Sequence, residues 1–234
     1  MADLPPDVAR LRPELEAGAR ALGLALSDEQ TTQLLAYLAL VAKWTRVYNL
    51  TAVRDPQEML THHLLDSLAV VAPLGREAAA LRARAADGGA APAPNPLRLL
   101  DVGAGAGLPG VVLAICCPGV DVTCVDTVAK KAAFIQQAAG ALRLPNLHGV
   151  HSRVEQLAGP FDVVCSRAFA SLADFTAWSG GALAPGGVWL AMKGKHPADE
   201  LAALPPTVSV FHVEPLTVPG LDAERCIVWM RRAV

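Results

Sequence analysis

The chain has 234 residues, with 20 basic and 22 acidic side chains and a formal net charge of −2. This balance excludes a surface that is basic overall, so any contact with nucleic acid must come from a local patch. Hydrophobic residues make up 53% of the chain, which is enough for a large core, and no apolar run reaches the roughly 18 residues that a membrane span requires.

The expected location and the role of the cysteines follow from similar observations. The N-terminal residues lack a cationic segment followed by an apolar one, so no export signal is expected and the protein is predicted to be cytoplasmic. The cysteines form no Cys-x-x-Cys pair, which predicts buried small side chains rather than a metal site or a disulfide. They are Cys116, Cys117, Cys124, Cys165 and Cys226.

Residues 1–74 are predicted to form an N-terminal α-helical cap. Ser27 and Gln30 have the spacing of a capping box, and the apolar residues that follow keep a helical period to about Tyr48. Asp55, followed by proline, has the position of an acidic N-cap and begins a second helix.

The second helix of the cap carries a histidine and an acid at neighbouring helical positions. His63 and Asp66 are three residues apart, and the histidine lies among leucines. A histidine in such surroundings is most often a packing residue, and a role in the reaction is the alternative. Asn49 is interpreted first as the C-terminal residue of the preceding helix.

Residues 75–97 are rich in alanine, proline and glycine and have few bulky apolar side chains after Leu81. This composition predicts an exposed, mobile linker with a short helix near 77–86.

From residue 98 to the end, strand and helix patterns alternate, which is typical of a mostly parallel, doubly wound α/β sheet. Ligands of such sheets bind beyond the carboxyl ends of the strands. The predicted strands are 98–102, 121–125, 147–151, 161–166, 187–192, 207–213 and 225–231, and the predicted helices are 109–116, 128–142, 171–183 and 197–203.

The first predicted strand leads into the glycine-rich turn Gly103-Ala-Gly-Ala-Gly107. Glycine lets the chain turn tightly and lets a ligand approach the backbone, and the helix after the turn offers free N–H groups. The turn therefore predicts a nucleotide-type cofactor. Its G-x-G-x-G spacing differs from the G-x-G-x-x-G of dinucleotide sites and resembles motif I of the class I S-adenosylmethionine (SAM) methyltransferases, with NAD as the alternative.

Polar residues follow the next three predicted strands. Asp126 ends the second strand, 21 positions after Gly105. An acid at this place can accept hydrogen bonds from both ribose hydroxyls, and a helix N-cap is the alternative. Glu155 follows the third strand, beside the expected adenine, and a solvated first turn of a short helix is the alternative. Arg167 follows the fourth strand, where an arginine suits a phosphate or an acceptor oxygen, and a surface salt bridge is the alternative.

Six segments together resemble the RsmG (GidB) family of bacterial 16S rRNA guanine-N7 methyltransferases. They are YNLTAVRDP, HHLLDSL, LLDVGAGAGLPG, SRVEQL, SRAFASL and AMKGK, and the resemblance covers about residues 27–233 apart from the linker. It implies SAM as the cofactor and the class I methyltransferase fold, a Rossmann-like, doubly wound seven-stranded sheet in residues 98–234 behind the helical cap. A class I methyltransferase for a small molecule and a SAM-binding module without catalysis are the alternatives.

The resemblance also implies roles for individual residues. The family's histidine falls on His63 rather than His62, and its lysine after the fifth strand falls on Lys193; with Arg167 these are the candidates for positioning the substrate. Two departures from the family are the greater length of the 75–97 segment and a threonine at position 127 where serine is frequent. The implied cofactor contacts are Gly103, Gly105, Leu108, Asp126, Val154, Glu155 and Arg167.

Methylation at guanine N7 suits a site that has neither a general base nor a metal. N7 has a free lone pair at neutral pH, so the enzyme has only to hold it in line with the methyl group and exclude water. We expect a monomer that acts on an accessible loop of 16S rRNA in a small-subunit particle or its precursor. Bases of the RNA would stack on Tyr48 or Phe169. The basic candidates for its phosphates are Lys43, Arg46, Arg54, Lys130, Lys131, Arg153, Arg167, Lys193, Lys195, Arg231 and Arg232.

Overall fold

The computed structural model describes residues 4–87 and 96–233. The N-terminal part is helical. Its helices are α1 (Pro6–Ala9), α2 (Arg12–Ala21), α3 (Asp28–Tyr48), α4 (Pro56–Met59), α5 (Asp66–Leu68) and α6 (Val71–Asp87), with a π-helical segment, Leu60–Leu65, between α4 and α5.

Helix α3 forms as its sequence predicts. The hydroxyl of Ser27 accepts a hydrogen bond from the backbone N–H of Gln30 at 3.1 Å, and the side chain of Gln30 accepts one from the N–H of Ser27 at 2.9 Å. These two bonds satisfy donors that a helix start would leave unpaired. The helix ends where Asn49 adopts a left-handed conformation, with φ at 51°.

The second predicted helix is present but is not one regular α-helix. Asp55 caps its start, with its carboxylate accepting a hydrogen bond from the N–H of Gln57 at 3.2 Å. The chain then widens into the π-helical segment that contains His63 before it returns to α-helix at Asp66. A wider turn rotates the following side chains relative to a 3.6-residue period, and such turns often occur at functional sites.

The segment expected to be an exposed linker differs most from its prediction. Helix α6 runs through residues 71–87, so the helix predicted near 77–86 is longer and begins before position 75. Alanine-rich sequence favours helix, and Ala78 and Leu81 are buried against the core, which anchors the segment. Of the rest of the predicted linker, residues 88–95 lie outside the described residues, and Leu97 is already a buried residue of the first strand.

The C-terminal part contains the predicted seven-stranded sheet. Its strand order is β3-β2-β1-β4-β5-β7-β6; the first five strands are parallel, and β7 runs antiparallel to β5 and β6. The mostly parallel, doubly wound sheet predicted from the sequence is therefore present. The strands are β1 (Leu97–Val102), β2 (Val120–Asp126), β3 (Leu147–His151), β4 (Phe161–Arg167), β5 (Leu183–Lys193), β6 (Val208–Leu216) and β7 (Arg225–Arg232), and the helices are α7 (Gly110–Cys116), α8 (Ala129–Leu142), α9 (Leu172–Ser179) and α10 (Ala198–Ala202).

The cap and the sheet share one hydrophobic core. Leu34 and Leu38 of α3 belong to the same buried cluster as Phe134 of α8. Two glutamines of α3 also donate hydrogen bonds to the open carbonyls at helix ends, Gln30 to Ile115 of α7 at 3.2 Å and Gln33 to Leu142 of α8 at 2.9 Å. The cap is therefore attached directly to the helices that pack on β2 and β3. Among the described helices, none combines the length and apolarity needed to span a bilayer.

Candidate functional site

The glycine turn after β1 is held from both sides. Gly103 and Gly105 adopt φ values of 66° and 60°, a region that side chains strongly disfavour. The N–H of Gly103 donates to the carbonyl of Val125 in β2 at 2.9 Å. From the cap, the buried hydroxyl of Tyr37 donates to the carbonyl of Ala106 at 2.6 Å. Cap and sheet thus fix the same turn.

A buried acid beneath the turn orients the helix that follows. The carboxylate of Asp101 accepts a hydrogen bond from the N–H of Gly110, the first residue of α7, at 2.9 Å, and its second oxygen has no partner among the described residues. Burial raises the pKa of Asp101 from 3.8 to about 7. Sequence reasoning assigned this residue no role, although an acid that ends an apolar strand just before the glycines is a visible signal.

The two cysteines beside Asp101 are buried, as predicted. Cys124 and Cys165 stand beside Asp101 on the adjoining strands β2 and β4. Both thiols are free and buried, and burial raises the pKa of each well above its usual value. They pack as small side chains around the carboxyl, and the thiol of Cys124 donates a long hydrogen bond to Asp101 at 4.0 Å.

Asp126, at the end of β2, supports the turn directly. One carboxylate oxygen accepts a hydrogen bond from the N–H of Gly105 at 3.0 Å, and the other accepts one from the N–H of Val128 at 2.8 Å. Lys131 lies 3.7 Å away. This geometry is close to the alternative interpretation of Asp126 as a helix N-cap. Val128, whose N–H binds Asp126, is the residue just before α8, and its own side chain makes no capping hydrogen bond.

A cavity of about 480 Å³ opens at the carboxyl ends of the strands. The glycine turn, the ends of β4 and β5, the start of β7 and the π-helical segment of the cap enclose it. Six of the predicted site residues line it, namely Gly103, Gly105, Leu108, Arg167, His63 and Lys193. Asp126, Val154 and Glu155 are outside this lining: Val154 is buried in the core under β1 and β4, and Glu155 is exposed on a 3₁₀ turn.

Two arginines in the cavity share one buried carboxylate of the cap. Asp66, only 3% exposed, accepts hydrogen bonds from Arg167 of β4 at 2.9 Å and from Arg225 of β7 at 2.8 Å, each on a different oxygen. Arg167 also donates to the backbone carbonyl of His62 at 2.9 Å. The salt-bridge alternative for Arg167 is correct in part, since the pair exists, but it is half-buried at the cavity rather than on the surface. Sequence reasoning missed Arg225.

His63 is buried behind this cluster as a neutral side chain. Its Nε2 shares a hydrogen bond with the hydroxyl of Thr51 at 2.9 Å, and its Nδ1 has no partner within the described part of the chain. Burial, and then the positive charge of Arg167, lower the pKa of His63 from 6.5 to about 4. At neutral pH it therefore adds no charge to the cavity.

Lys193, at the end of β5, is paired rather than free. Its ammonium group lies 2.8 Å from the carboxylate of Glu200, which also accepts a hydrogen bond from the N–H of Leu172 at 2.7 Å. Between β4 and α9, Ala168 lines the cavity with φ at 51°. The loop carries Phe169 over the turn, so that a Cβ added at Gly103 would lie 2.6 Å from its ring.

The basic residues predicted to form a rim do not all lie around the cavity. Arg231 and Arg232 are at the far end of β7, roughly 20 Å from Arg225, because the strand rises about 3.4 Å per residue. The C-terminal end of α3 is a better candidate for a basic rim than the far end of β7. There the ammonium group of Lys130 lies 5.2 Å from the ring centre of Tyr48, and the ring is 45% exposed.

Acid should destabilise the wild-type protein more than a His63→Gln variant. Between pH 6.5 and about 4 the unfolded chain binds a proton at this position and the folded chain does not. The stability contributed by neutral His63 is therefore present above pH 6.5 and is lost as the pH falls toward 4. Urea unfolding at about pH 7 and pH 4.5 should show an extra loss of up to about 2 kcal/mol for wild type. Equal pH dependence of the two proteins would contradict this assignment.

Comparisons with known proteins identify a family for most of the chain. Residues 30–228 match the family model described as GidB, rRNA small subunit methyltransferase G. The chain is 74% identical over 217 residues to the ribosomal RNA small subunit methyltransferase G of Acidovorax sp. (strain JS42), covering 93% of each protein. It is 57% identical over 233 residues to the protein of that name from Methylibium petroleiphilum, covering 99% of each.

Solved structures support the fold. Magnesium protoporphyrin IX methyltransferase from Synechocystis, solved with bound SAM, superposes with a TM-score of 0.53 at 18% identity, covering 89% of this chain and 99% of that one. TrmN from Thermus thermophilus gives a TM-score of 0.50 at 18% identity, covering 74% and 53%. With the family match over most of its length, this chain belongs to the GidB family of SAM-dependent rRNA small subunit methyltransferases.

Proposed function

We propose that this protein transfers the methyl group of SAM to N7 of a specific guanine in 16S rRNA. The observation that carries the proposal is the state of three titratable side chains that line the cavity, the exposed His62 apart. His63 is neutral and bonded to Thr51, Asp66 is held by two arginines, and Lys193 is paired with Glu200. The pKa of His63 is lowered to about 4, which makes it a weak base, and Asp66 and Lys193 are held in ion pairs, so none of the three is set to remove a proton. N7 needs no proton removed before it accepts a methyl group.

The residues at the glycine turn fit the cofactor. The cavity has the volume of a small-molecule site. At Gly103 and Gly105 the backbone forms its wall, and left-handed φ angles keep side chains out of that space. When bound, SAM supplies an activated methyl group on a sulfonium. We assign its contacts to Gly103, Gly105, Leu108 and Arg167, its ribose to Asp126, and its adenine side to Val154 and Glu155.

The protein's own contribution is positioning. The walls of the cavity exclude water from the transfer, and holding N7 in line with the methyl group replaces acid–base chemistry. We assign Arg167, His63 and Lys193 to orienting the substrate. Their partners Asp66, Thr51 and Glu200 fix each side chain in place, which lowers the entropy lost when the guanine enters.

The RNA is proposed to approach over the end of α3. Tyr48 offers an exposed ring for stacking, and Lys130 beside it offers charge for a phosphate. Phe169 is the weaker stacking candidate, because its ring already packs edge-on against Phe175 and Trp178. Further phosphate contacts are proposed for Lys43, Arg46, Arg54, Lys131, Arg153 and Lys195.

We further propose that the substrate is 16S rRNA within a small-subunit particle or its precursor, and that the enzyme acts as a cytoplasmic monomer. In this proposal the helical cap and the methyltransferase domain are the two functional parts of the chain. The cap contributes the rim and Asp66, and the sheet contributes the cofactor site.

Incubation with labelled SAM and small subunits from a strain that lacks the modification should place one 7-methylguanosine in 16S rRNA. Nuclease digestion and mass spectrometry identify the methylated atom and its position. Transfer to another guanine or adenine atom would contradict the N7 assignment. Transfer to a small molecule, with none to RNA, would contradict the RNA substrate.

Replacement Gly103→Arg should abolish measurable SAM binding. The side chain would enter the cavity, and a Cβ there already meets the ring of Phe169 and requires a strained φ. Gly119→Arg is the matched control, because a Cβ at Gly119 has open space around it. Calorimetry should show wild-type SAM affinity for the control. Undiminished affinity in Gly103→Arg would show that the cofactor site lies elsewhere.

A further inference from the structure

Arg225 is held in the cavity with part of its guanidinium unused. It is the first residue of β7, lines the cavity, and has a side chain only 22% exposed. Its Nε donates to Asp66 at 2.8 Å, and one Nη donates to the carbonyl of Glu224 at 2.8 Å. The second Nη has no hydrogen-bond partner among residues 4–87 and 96–233. The fork of donors that arginine offers to an anion is therefore fixed in place and incompletely used.

The charged side chains that line the cavity leave a positive excess, and the exposed carboxylate of Glu224, next to Arg225 in the chain, is not part of that lining. Asp66 carries one negative charge and faces two guanidinium groups, Arg167 and Arg225. Lys193 does not change this balance, because Glu200 is its partner. SAM, with a sulfonium, an ammonium and a carboxylate, carries a net positive charge and cannot neutralise the excess. An anion supplied by the substrate would.

The order of the strands places Arg225 on the substrate side of the site. The glycine turn follows β1, the ribose acid ends β2, and Arg167 ends β4. Strand β7 lies two places beyond β4, across β5. At about 4.8 Å between neighbouring strands, the backbone of Arg225 is roughly 10 Å further from the cofactor turn than that of Arg167. A nucleotide whose base reaches the end of β4 would extend its sugar and phosphate toward β7.

We propose that Arg225 binds a backbone phosphate of the target nucleotide, while Asp66 holds its guanidinium in the cavity. This assignment rests on the proposed function, because it requires an RNA substrate. It divides the two arginines on Asp66 between two tasks: Arg167 serves the cofactor and the reacting base, and Arg225 anchors the strand that carries the base. Arginine pairs with phosphate through two parallel hydrogen bonds, a geometry that lysine cannot reproduce.

The test measures binding without turnover. Protein loaded with S-adenosylhomocysteine is titrated with small subunits that lack the modification, at several salt concentrations. Arg225→Gln should weaken binding about tenfold or more. It should also lower the slope of log affinity against log salt by about 0.7–0.9, the value for one phosphate contact. Arg225→Lys should restore most of the slope and only part of the affinity, since it keeps the charge and loses the fork.

Two controls separate this role from a structural one. Arg231→Gln removes a charge from the far end of the same strand, where Arg231 lies over the ring of Phe211, and should leave affinity and slope unchanged. SAM affinity of Arg225→Gln, measured by calorimetry, should stay within about twofold of wild type, a change of less than 1 kcal/mol.

Two results would overturn the proposal. An unchanged salt slope in Arg225→Gln would show that no phosphate is bound there. A loss of SAM affinity as large as the loss of RNA affinity would show that Arg225 serves the cofactor instead. Either result leaves RNA methylation by the wild-type protein intact, whereas small subunits that neither bind nor accept methyl groups would remove the proposed function as well.

Discussion

The carboxylate of Asp66 is the constraint on which the site depends. It comes from the cap, it is nearly inaccessible to water, and each of its oxygens holds an arginine from a different strand of the sheet. Taking these charges out of water is costly, and only their mutual attraction offsets the cost. Loss of Asp66 would leave two guanidinium groups without their shared counter-charge, and breaking a buried pair in this way typically costs about 3–5 kcal/mol. The cap and the sheet are held together where the substrate must enter.

Hydrogen bonds join the glycine turn to the cap and to the sheet in a similar way. Tyr37 of α3 donates to the carbonyl of Ala106, and Asp126 of β2 accepts from the N–H of Gly105. Both groups bond backbone atoms of a turn whose conformation side chains would oppose. This wall of the cavity is thus preorganised by residues from both parts of the protein, so that binding of a ligand there does not have to order it.

Sequence patterns predicted the fold well because the sheet is regular. Most strands are short, largely apolar runs between turn residues, and the glycine turn and the acid at the end of β2 lie at the carboxyl ends of the strands, where the cavity opens. Sequence patterns did not predict the features that depend on tertiary contacts. The π-helical turn that contains His63 has no sequence signature distinct from an α-helix, and α6 is anchored by burial of Leu81 in spite of a composition typical of linkers. Arg225 could not be found by motif, because its importance comes from Asp66, 159 residues earlier.

The central claim is that Asp66 and its arginines act as one unit that joins cap and sheet. A double-mutant cycle on the free energy of unfolding tests it directly, with Asp66→Asn, Arg167→Gln and the combined variant measured by urea denaturation. Groups in one buried network show coupling of about 0.5–3 kcal/mol. The account predicts that the double variant is less destabilised than the sum of the two single variants, by at least about 1 kcal/mol. Additive effects would contradict it.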